Sequence, residues 1–162
     1  MPGTDIDKLK EGIEQAEARY EKLVLLVGES GSGKTQLLRA LVNERHCPLV
    51  NVNLRLSQKL LEIPRRKRPA KVATLFADLL DEDEGSPVLL DDIELLFDNA
   101  LQTNALTLLR HRSKNRVVVV AWNGSYNGGV LTYAEADHPE YVQEKNVEAI
   151  VLPIASPAAA SH

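Results

Sequence analysis

The feature that most constrains this sequence is the glycine-rich segment 28–35, GESGSGKT, which fits the pattern G-x-x-x-x-G-K-[ST] at every position. The apolar run 23–27 leads directly into it, so we expect a strand, a loop and then a helix. Glycines let such a loop turn successive backbone N–H groups inward at the start of the helix, where they bind anionic oxygens. The segment therefore predicts a site for the phosphates of a nucleoside triphosphate.

Individual side chains of this segment have predicted roles around the phosphates. Lys34 is expected to reach the β- and γ-phosphates as a solvent-facing charge, and the hydroxyl of Thr35 is expected to be a ligand of Mg²⁺. The residues predicted to bind the nucleotide are Gly28, Ser30, Gly31, Ser32, Gly33, Lys34, Thr35 and Gln36.

A second apolar run, 88–90, is followed by the carboxylates Asp91, Asp92 and Glu94. Mg²⁺ prefers hard oxygen ligands and keeps part of its hydration shell, so we expect Asp91 to hold it directly or through water. Asp92 or Glu94 would orient the attacking water, and Asp92 is preferred because it directly follows the metal ligand. The alternative is that these carboxylates only form the solvated end of a strand and have no role in catalysis.

A third apolar run, 117–120, leads to Asn123 at the edge of the sheet where ligands of open α/β folds bind. Its amide can donate to a phosphate or to the attacking water, which makes it a candidate sensor of the nucleotide. The alternative is that Asn123 opens a turn with Gly124, because Asn-Gly is a common turn former. The candidate catalytic residues are therefore Asp92, Glu94 and Asn123.

Strands that alternate with helices predict an α/β fold with three layers and a five-stranded, mainly parallel sheet. The 162 residues fit a single domain, expected over 1–154, with no separate lid. A leading helix is predicted at about 5–20, and a disordered tail at 155–162. The other predicted elements are a strand at 48–54, a helix that ends at 75–80, a helix at 101–112 and a final strand at 146–152.

The composition of the chain limits the classes of function that it can have. The net charge of −4 gives no global attraction for nucleic acid, and the single cysteine excludes an internal disulfide. No apolar run approaches the ~20 residues of a membrane span, and the first residues lack the pattern of a signal peptide. We therefore expect a cytoplasmic protein with no membrane contact.

Two charged runs bear on partners. The acidic run covers 81–84, and the basic run consists of Arg65, Arg66, Lys67, Arg68 and Lys71. Both are typical of solvated loops, but the basic run can also contact DNA phosphates or another protein. It contains no aromatic residue, which argues against stacking on bases.

The three motifs, in this order, resemble the P-loop ATPases with an additional central strand, especially the AAA+ core without its C-terminal lid. The resemblance implies ATP and Mg²⁺ as ligands and a homo-oligomer in which a neighbouring subunit supplies an arginine. Arg110, Arg112 and Arg116, near the end of the helix before the third strand, are the candidates. They can equally be cations that balance the helix dipole.

At closer range, residues 7–142 are similar to the BrxF family, the small P-loop proteins of type 3 BREX bacteriophage-defence systems. The similarity is most specific at 121–124 (AWNG), 131–135 (LTYAE) and 138–141 (HPEY). It implies an accessory component that binds and hydrolyses ATP beside other BREX proteins, which include a larger ATPase. A DNA-loading or transposition-helper ATPase, and a nucleotide-dependent binding module with little turnover, are the alternatives.

Overall fold

The computed structural model describes residues 2–134 and 138–154, and their strands form one seven-stranded sheet. The strands are β1 (Leu23–Gly28), β2 (Leu49–Asn51), β3 (Val88–Asp91), β4 (Val118–Asn127), β5 (Val130–Tyr133), β6 (Val142–Lys145) and β7 (Ile150–Pro153). The main path has the order β2-β3-β4-β1-β7, and every pair along it is parallel. β5 and β6 extend the far end of β4 as antiparallel strands. The predicted five-stranded parallel sheet is confirmed as this main path.

Helices cover both faces of the sheet. They are α1 (Pro2–Glu17), α2 (Lys34–Arg45), α3 (Val52–Leu60), α4 (Arg68–Asp81) and α5 (Ala105–Arg112). Leu25 and Val27 of β1 pack on the side of α3, α4 and α5, whereas Val24 and Leu26 pack on the side of α1 and α2. Because β1 is buried on both faces, its sequence is continuously apolar rather than alternating. The three-layer α/β fold is confirmed.

The leading helix covers Pro2–Glu17 rather than 5–20. The apolar spacing that suggested a longer helix ends in Tyr20, but that side chain is 77% exposed and packs into no core. Within the described residues no helix follows α5, so no helical lid occurs there, and none of the described helices is long and apolar enough to cross a membrane.

The strand predicted at 48–54 stops at Asn51, where α3 begins instead. Asn51 caps that helix, because its Oδ1 atom accepts a hydrogen bond from the backbone N–H of Leu54 at 3.0 Å. The alternating apolar pattern predicted a longer strand because it does not show that Asn51 caps a helix, and the chain is helical from Val52 onward.

Other elements lie near their predicted positions but differ at their ends. The helix expected to close at 75–80 begins much earlier, at Arg68, and the helix at 101–112 begins only at Ala105, after the cap Asn104. The final strand is shorter than 146–152 and covers Ile150–Pro153. The predicted tail 155–162 and position 135 of the BrxF-like stretch lie outside the described residues.

The alternative interpretation of Asn123, a turn at Asn123-Gly124, is wrong, because β4 continues through both residues to Asn127. The turn lies at Gly128 and Gly129, whose φ values of 58° and 80° are in the left-handed region. Gly124 pairs with Tyr133 of β5 so closely that an added Cβ atom would lie 1.8 Å from the carbonyl oxygen of Thr132. The hairpin β4–β5 therefore starts directly beside the candidate sensor.

Candidate functional site

Strands β3, β4 and β1 lie side by side and bring the three sequence motifs to one edge of the parallel sheet. Gly28 is in register with Asn123, and Leu90 with Val120. A cavity of about 280 Å³ opens at this edge. Its lining contains the predicted residues Ser30, Gly31, Gly33, Lys34, Thr35, Gln36, Asp91, Asp92, Glu94 and Asn123, together with Arg39 and Ala121.

The loop between β1 and α2 has the conformation that an anion site needs. Gly31 and Gly33 have φ values of 82° and 99°, which a residue with a side chain adopts only under strain. Gly33 caps α2 without any side-chain hydrogen bond, so the first N–H groups of α2 remain available to a phosphate. Gly28 is needed for a different reason, since an added Cβ atom would lie 2.6 Å from Ser32 Oγ and 2.7 Å from the carbonyl oxygen of Ile154.

Lys34 is buried rather than solvent-facing, so that part of its predicted role is wrong. Its ammonium donates hydrogen bonds to the carbonyl oxygens of Gly28 (2.8 Å) and Glu29 (2.7 Å) and to Ser32 Oγ (3.1 Å). Burial lowers the pKa of Lys34, while the carboxylates of Asp91, Glu94 and Glu29 act in the opposite direction. In this structure Lys34 therefore holds the loop in shape, and a bound phosphate would take over some of these contacts.

Thr35 and Asp91 meet beneath the loop. The Thr35 hydroxyl donates a hydrogen bond of 2.8 Å to Asp91 Oδ2, so two hard oxygen ligands lie together. No group of three or more His, Cys, Asp or Glu side chains with metal-site geometry occurs in the described part of the chain. This donor set fits Mg²⁺, which typically takes one or two protein oxygens and completes its shell with phosphate oxygens and water.

Asp92 points to the start of α3. Its Oδ2 atom accepts a hydrogen bond from Asn51 Nδ2 at 2.8 Å, and its carbonyl oxygen accepts one from the N–H of Asn53 at 2.8 Å. Asp92 has a φ value of 51°, which is strained for a residue with a side chain. Burial, and then the negative charge of Asp91, raise the pKa of Asp92. This carboxylate thus already has a partner outside the phosphate-binding loop.

Glu94 instead faces Asn123, the candidate sensor. Its Oε1 atom accepts a hydrogen bond from Asn123 Nδ2 at 3.3 Å, and the side chain is half-buried. Burial raises the pKa of Glu94, as do Asp92 and Asp91, while Lys34 opposes the shift. Glu94 and Asn123 therefore form a pair of polar groups beside the predicted phosphate position.

An aromatic cluster fixes the short helical turn Glu94–Phe97 that carries this carboxylate. The ring of Phe97 stacks on Tyr133 of β5, with centroids 3.5 Å apart, and meets Trp122 edge-on at 5.1 Å. Burial raises the pKa of Tyr133 to about 12, so its hydroxyl stays neutral. The hairpin and the catalytic candidate are thus packed as one unit.

The three candidate arginines lie at the opposite edge of the sheet, in segments that precede strands. Arg110 Nε donates to Glu21 Oε1 at 2.9 Å, and Arg116 donates to the carbonyl oxygens of Asp83 (2.7 Å) and Gly85 (3.1 Å). Among the described residues, Arg112 has neither an ion pair nor a hydrogen bond from its side chain. None of the three can therefore reach the site of its own chain.

Arg39 is a cavity residue that the sequence motifs do not indicate. It lies on α2 one turn after Thr35, so both side chains share a face of the helix. That spacing of four residues was the signal that could have identified it. The structure places this exposed cation on the wall of the cavity.

Together, the loop, the sheet order, the acidic end of β3 and the Asn123 amide on β4 define a P-loop nucleotide-binding fold. Residues 24–145 match the family described as ATPase family associated with various cellular activities (AAA). The chain therefore belongs to the AAA family, which implies ATP binding, usually with Mg²⁺. No curated protein matches the chain by sequence.

Eighteen chains of solved structures match the fold. One is the structure of C. elegans PCH-2, which has 20% sequence identity and a TM-score of 0.50. The match covers 96% of this chain but 43% of that chain, so this protein spans less than half the length of PCH-2. At this identity the similarity shows the shared fold alone.

Proposed function

We propose that the chain is a cytoplasmic, Mg²⁺-dependent ATPase that acts as an accessory component of a BREX bacteriophage-defence complex. The observation that carries the ATPase assignment is the contact between Glu94 Oε1 and Asn123 Nδ2 in the cavity that Lys34 and Asp91 also line. Support for the BREX role comes only from the sequence similarity at 121–124, 131–134 and 138–141.

In the proposed mechanism, the loop N–H groups and Lys34 bind the β- and γ-phosphates, and Thr35 with Asp91 would hold Mg²⁺. The ion, when bound, neutralises charge on the phosphate oxygens. Asn123 donates a hydrogen bond to the γ-phosphate or to the attacking water. Glu94 accepts a proton from that water. The water oxygen then forms a bond to the γ-phosphorus as the bond between the γ-phosphorus and the bridging oxygen breaks, which releases ADP.

We assign the water-orienting role to Glu94 in preference to Asp92. Glu94 contacts the sensor, whereas Asp92 is hydrogen-bonded to Asn51 at 2.8 Å. Burial raises the pKa of both carboxylates, so the preference for Glu94 rests on its contact with Asn123 and not on its pKa. Asp92 would serve only if the contact with Asn51 broke during turnover.

We further propose that ATP promotes self-association, or docking on a larger ATPase, with Arg112 as the arginine supplied to the neighbouring site. Arg110 and Arg116 are less suited, because both guanidinium groups are engaged within their own chain. Light scattering with ATP, ADP and no nucleotide tests this step, with Arg112→Ala beside the native protein. A monomer under all conditions, in the presence of the neighbouring gene products, would contradict it.

The catalytic assignment is tested by ATP turnover and ATP affinity in Glu94→Gln and, as a matched control, Asp92→Asn. We expect Glu94→Gln to lower kcat by roughly 10²–10⁴-fold with nearly unchanged affinity, because a proton acceptor acts mainly in the transition state. The same loss in Asp92→Asn with normal turnover in Glu94→Gln would reverse the two roles. Tight ATP binding without turnover, alone or with partners, would instead support a nucleotide-dependent binding module.

The genes that flank the coding sequence test the BREX assignment independently. Neighbours that encode a DNA methyltransferase, a helicase and an alkaline-phosphatase-like protein are expected. A neighbouring transposase or a replicative helicase would favour the transposition-helper or DNA-loading alternative.

A further inference from the structure

The basic run forms an ordered, exposed surface at the start of α4. Arg65, Arg66 and Lys67 make one turn of 3₁₀-helix that continues directly into α4, and all three are exposed. The turn is closed by the hydrogen bond from the N–H of Lys67 to Pro64 O at 2.9 Å, and Arg68 Nε donates to Ile63 O at 2.9 Å. We call the surface of Arg65, Arg66, Lys67, Arg68 and Lys71 the basic turn.

The acidic run of the chain does not neutralise the basic turn. It follows the opposite end of α4, and the 14 residues of this helix separate the two by about 21 Å. There Glu82 and Asp83 are already paired with Arg55, at 2.8 and 2.6 Å, and Glu82 also with Lys59 at 2.7 Å. Glu62 is the only acid in residues 61–77, and in the described part of the chain no residue of the basic turn forms an ion pair.

The helix itself adds to the positive potential. α4 has no acidic residue in its first turn, and its cap residue Lys67 makes no side-chain capping hydrogen bond. Cations beside a helix N-terminus are normally unfavourable, because the helix dipole places partial positive charge there. An anion bound at the basic turn would offset the repulsion between these cations and the positive end of the helix dipole.

We propose that the basic turn binds the phosphodiester backbone of a nucleic-acid duplex. Three arginines suit the geometry of phosphate oxygens, and Lys67 and Lys71, four residues apart, point to the same side of the helix. No exposed aromatic side chain lies within residues 61–77, so the surface offers contacts to phosphates and no platform on which the bases of a single strand could stack. This proposal is independent of whether the chain hydrolyses ATP.

Fluorescence anisotropy with a 20-base-pair DNA duplex, an RNA duplex of the same sequence and the single strand tests the proposal over a series of salt concentrations. Four cations of the basic turn are exposed: Arg65, Arg66, Lys67 and Lys71. They predict a slope of log K against log salt of roughly −3 to −4, and Arg66→Ala should reduce the magnitude of this slope by about 0.9. Lys8→Ala and Arg19→Ala, two exposed cations elsewhere on the chain, should leave the slope unchanged. Equal binding of both duplexes would indicate backbone recognition in general, and preference for one would identify the nucleic acid.

No duplex binding at 50 mM salt would overturn the proposal, as would a slope that Arg65→Ala, Arg66→Ala and Lys67→Ala all leave unchanged. Poly-glutamate of equal charge serves as the competitor. If it displaces the duplex at the same charge concentration, the surface does not distinguish phosphodiesters, and an acidic protein becomes the partner.

Discussion

Gly124→Ala is a sharp test of how the hairpin β4–β5 supports Asn123, the proposed sensor. The added Cβ atom would lie 1.8 Å from Thr132 O, so β5 would have to retreat by at least about 1.2 Å. The retreat would stretch the hydrogen bond from Trp122 Nε1 to Thr132 O, now 2.9 Å, and would disturb the neighbouring rungs of the β4–β5 ladder. A buried indole N–H left without a partner costs about 1–3 kcal/mol and each lost backbone bond about 1 kcal/mol.

We therefore expect Gly124→Ala to lower the free energy of unfolding by roughly 2–4 kcal/mol, which for a chain of this size lowers Tm by roughly 5–15 °C. ATP turnover should fall further than ATP affinity, because the neighbouring residue Asn123 is the proposed donor to the γ-phosphate or to the attacking water. Gly128→Ala is the matched control at the hairpin tip, where the φ value is 58° but no atom lies within 4 Å, and it should cost about 1 kcal/mol. A Tm for Gly124→Ala within 2 °C of the native value would refute the close strand pairing.

Four further variants, at three positions, separate structural from functional groups. Arg116→Ala should lower the free energy of unfolding by roughly 2 kcal/mol, because the carbonyl groups of Asp83 and Gly85, just after α4, lose a charged donor. Arg112→Ala should leave Tm unchanged. Equal Tm values for Arg116→Ala and Arg112→Ala would contradict the structural role of Arg116. Asn51→Ala should cost about 1 kcal/mol by removing the cap of α3, and Asn51→Asp should retain the cap but lose the hydrogen bond to Asp92. Thermal denaturation measures Tm, and chemical denaturation the free energy of unfolding, for all four variants.

The phosphate-binding loop and the central sheet were predictable because their sequence signals are local. Glycines at 28, 31 and 33 specify the loop, and apolar runs that end in polar residues specify buried parallel strands. Once the strands are parallel and adjacent, their carboxyl ends must share an edge. That geometry brings Asp91 and Asn123 to the loop without further information.

The remaining features depend on contacts between distant residues. Asn-Gly at 123–124 and Asn-Gly-Gly at 127–129 are both turn signals, and only the pairing of Gly124 with Tyr133 decides between them. Adjacency in sequence favoured Asp92 over Glu94, but a single helical turn brings Glu94 back toward Asn123. Whether an arginine is free to act in a neighbour depends on tertiary partners such as Glu21, which no local pattern reveals.

The central claim is that Lys34, Thr35 and Asp91 form a site for ATP with Mg²⁺, and calorimetric titration of ATP with and without Mg²⁺ tests it most directly. The native protein should bind ATP more tightly with Mg²⁺ than without. Lys34→Met should weaken binding by roughly 10- to 100-fold, since charged hydrogen bonds contribute about 1.5–3 kcal/mol, and Thr35→Val should remove the dependence on Mg²⁺. Circular dichroism establishes that both variants fold. ATP affinity that neither substitution changes, or that is the same with and without Mg²⁺ in the native protein, would contradict the account.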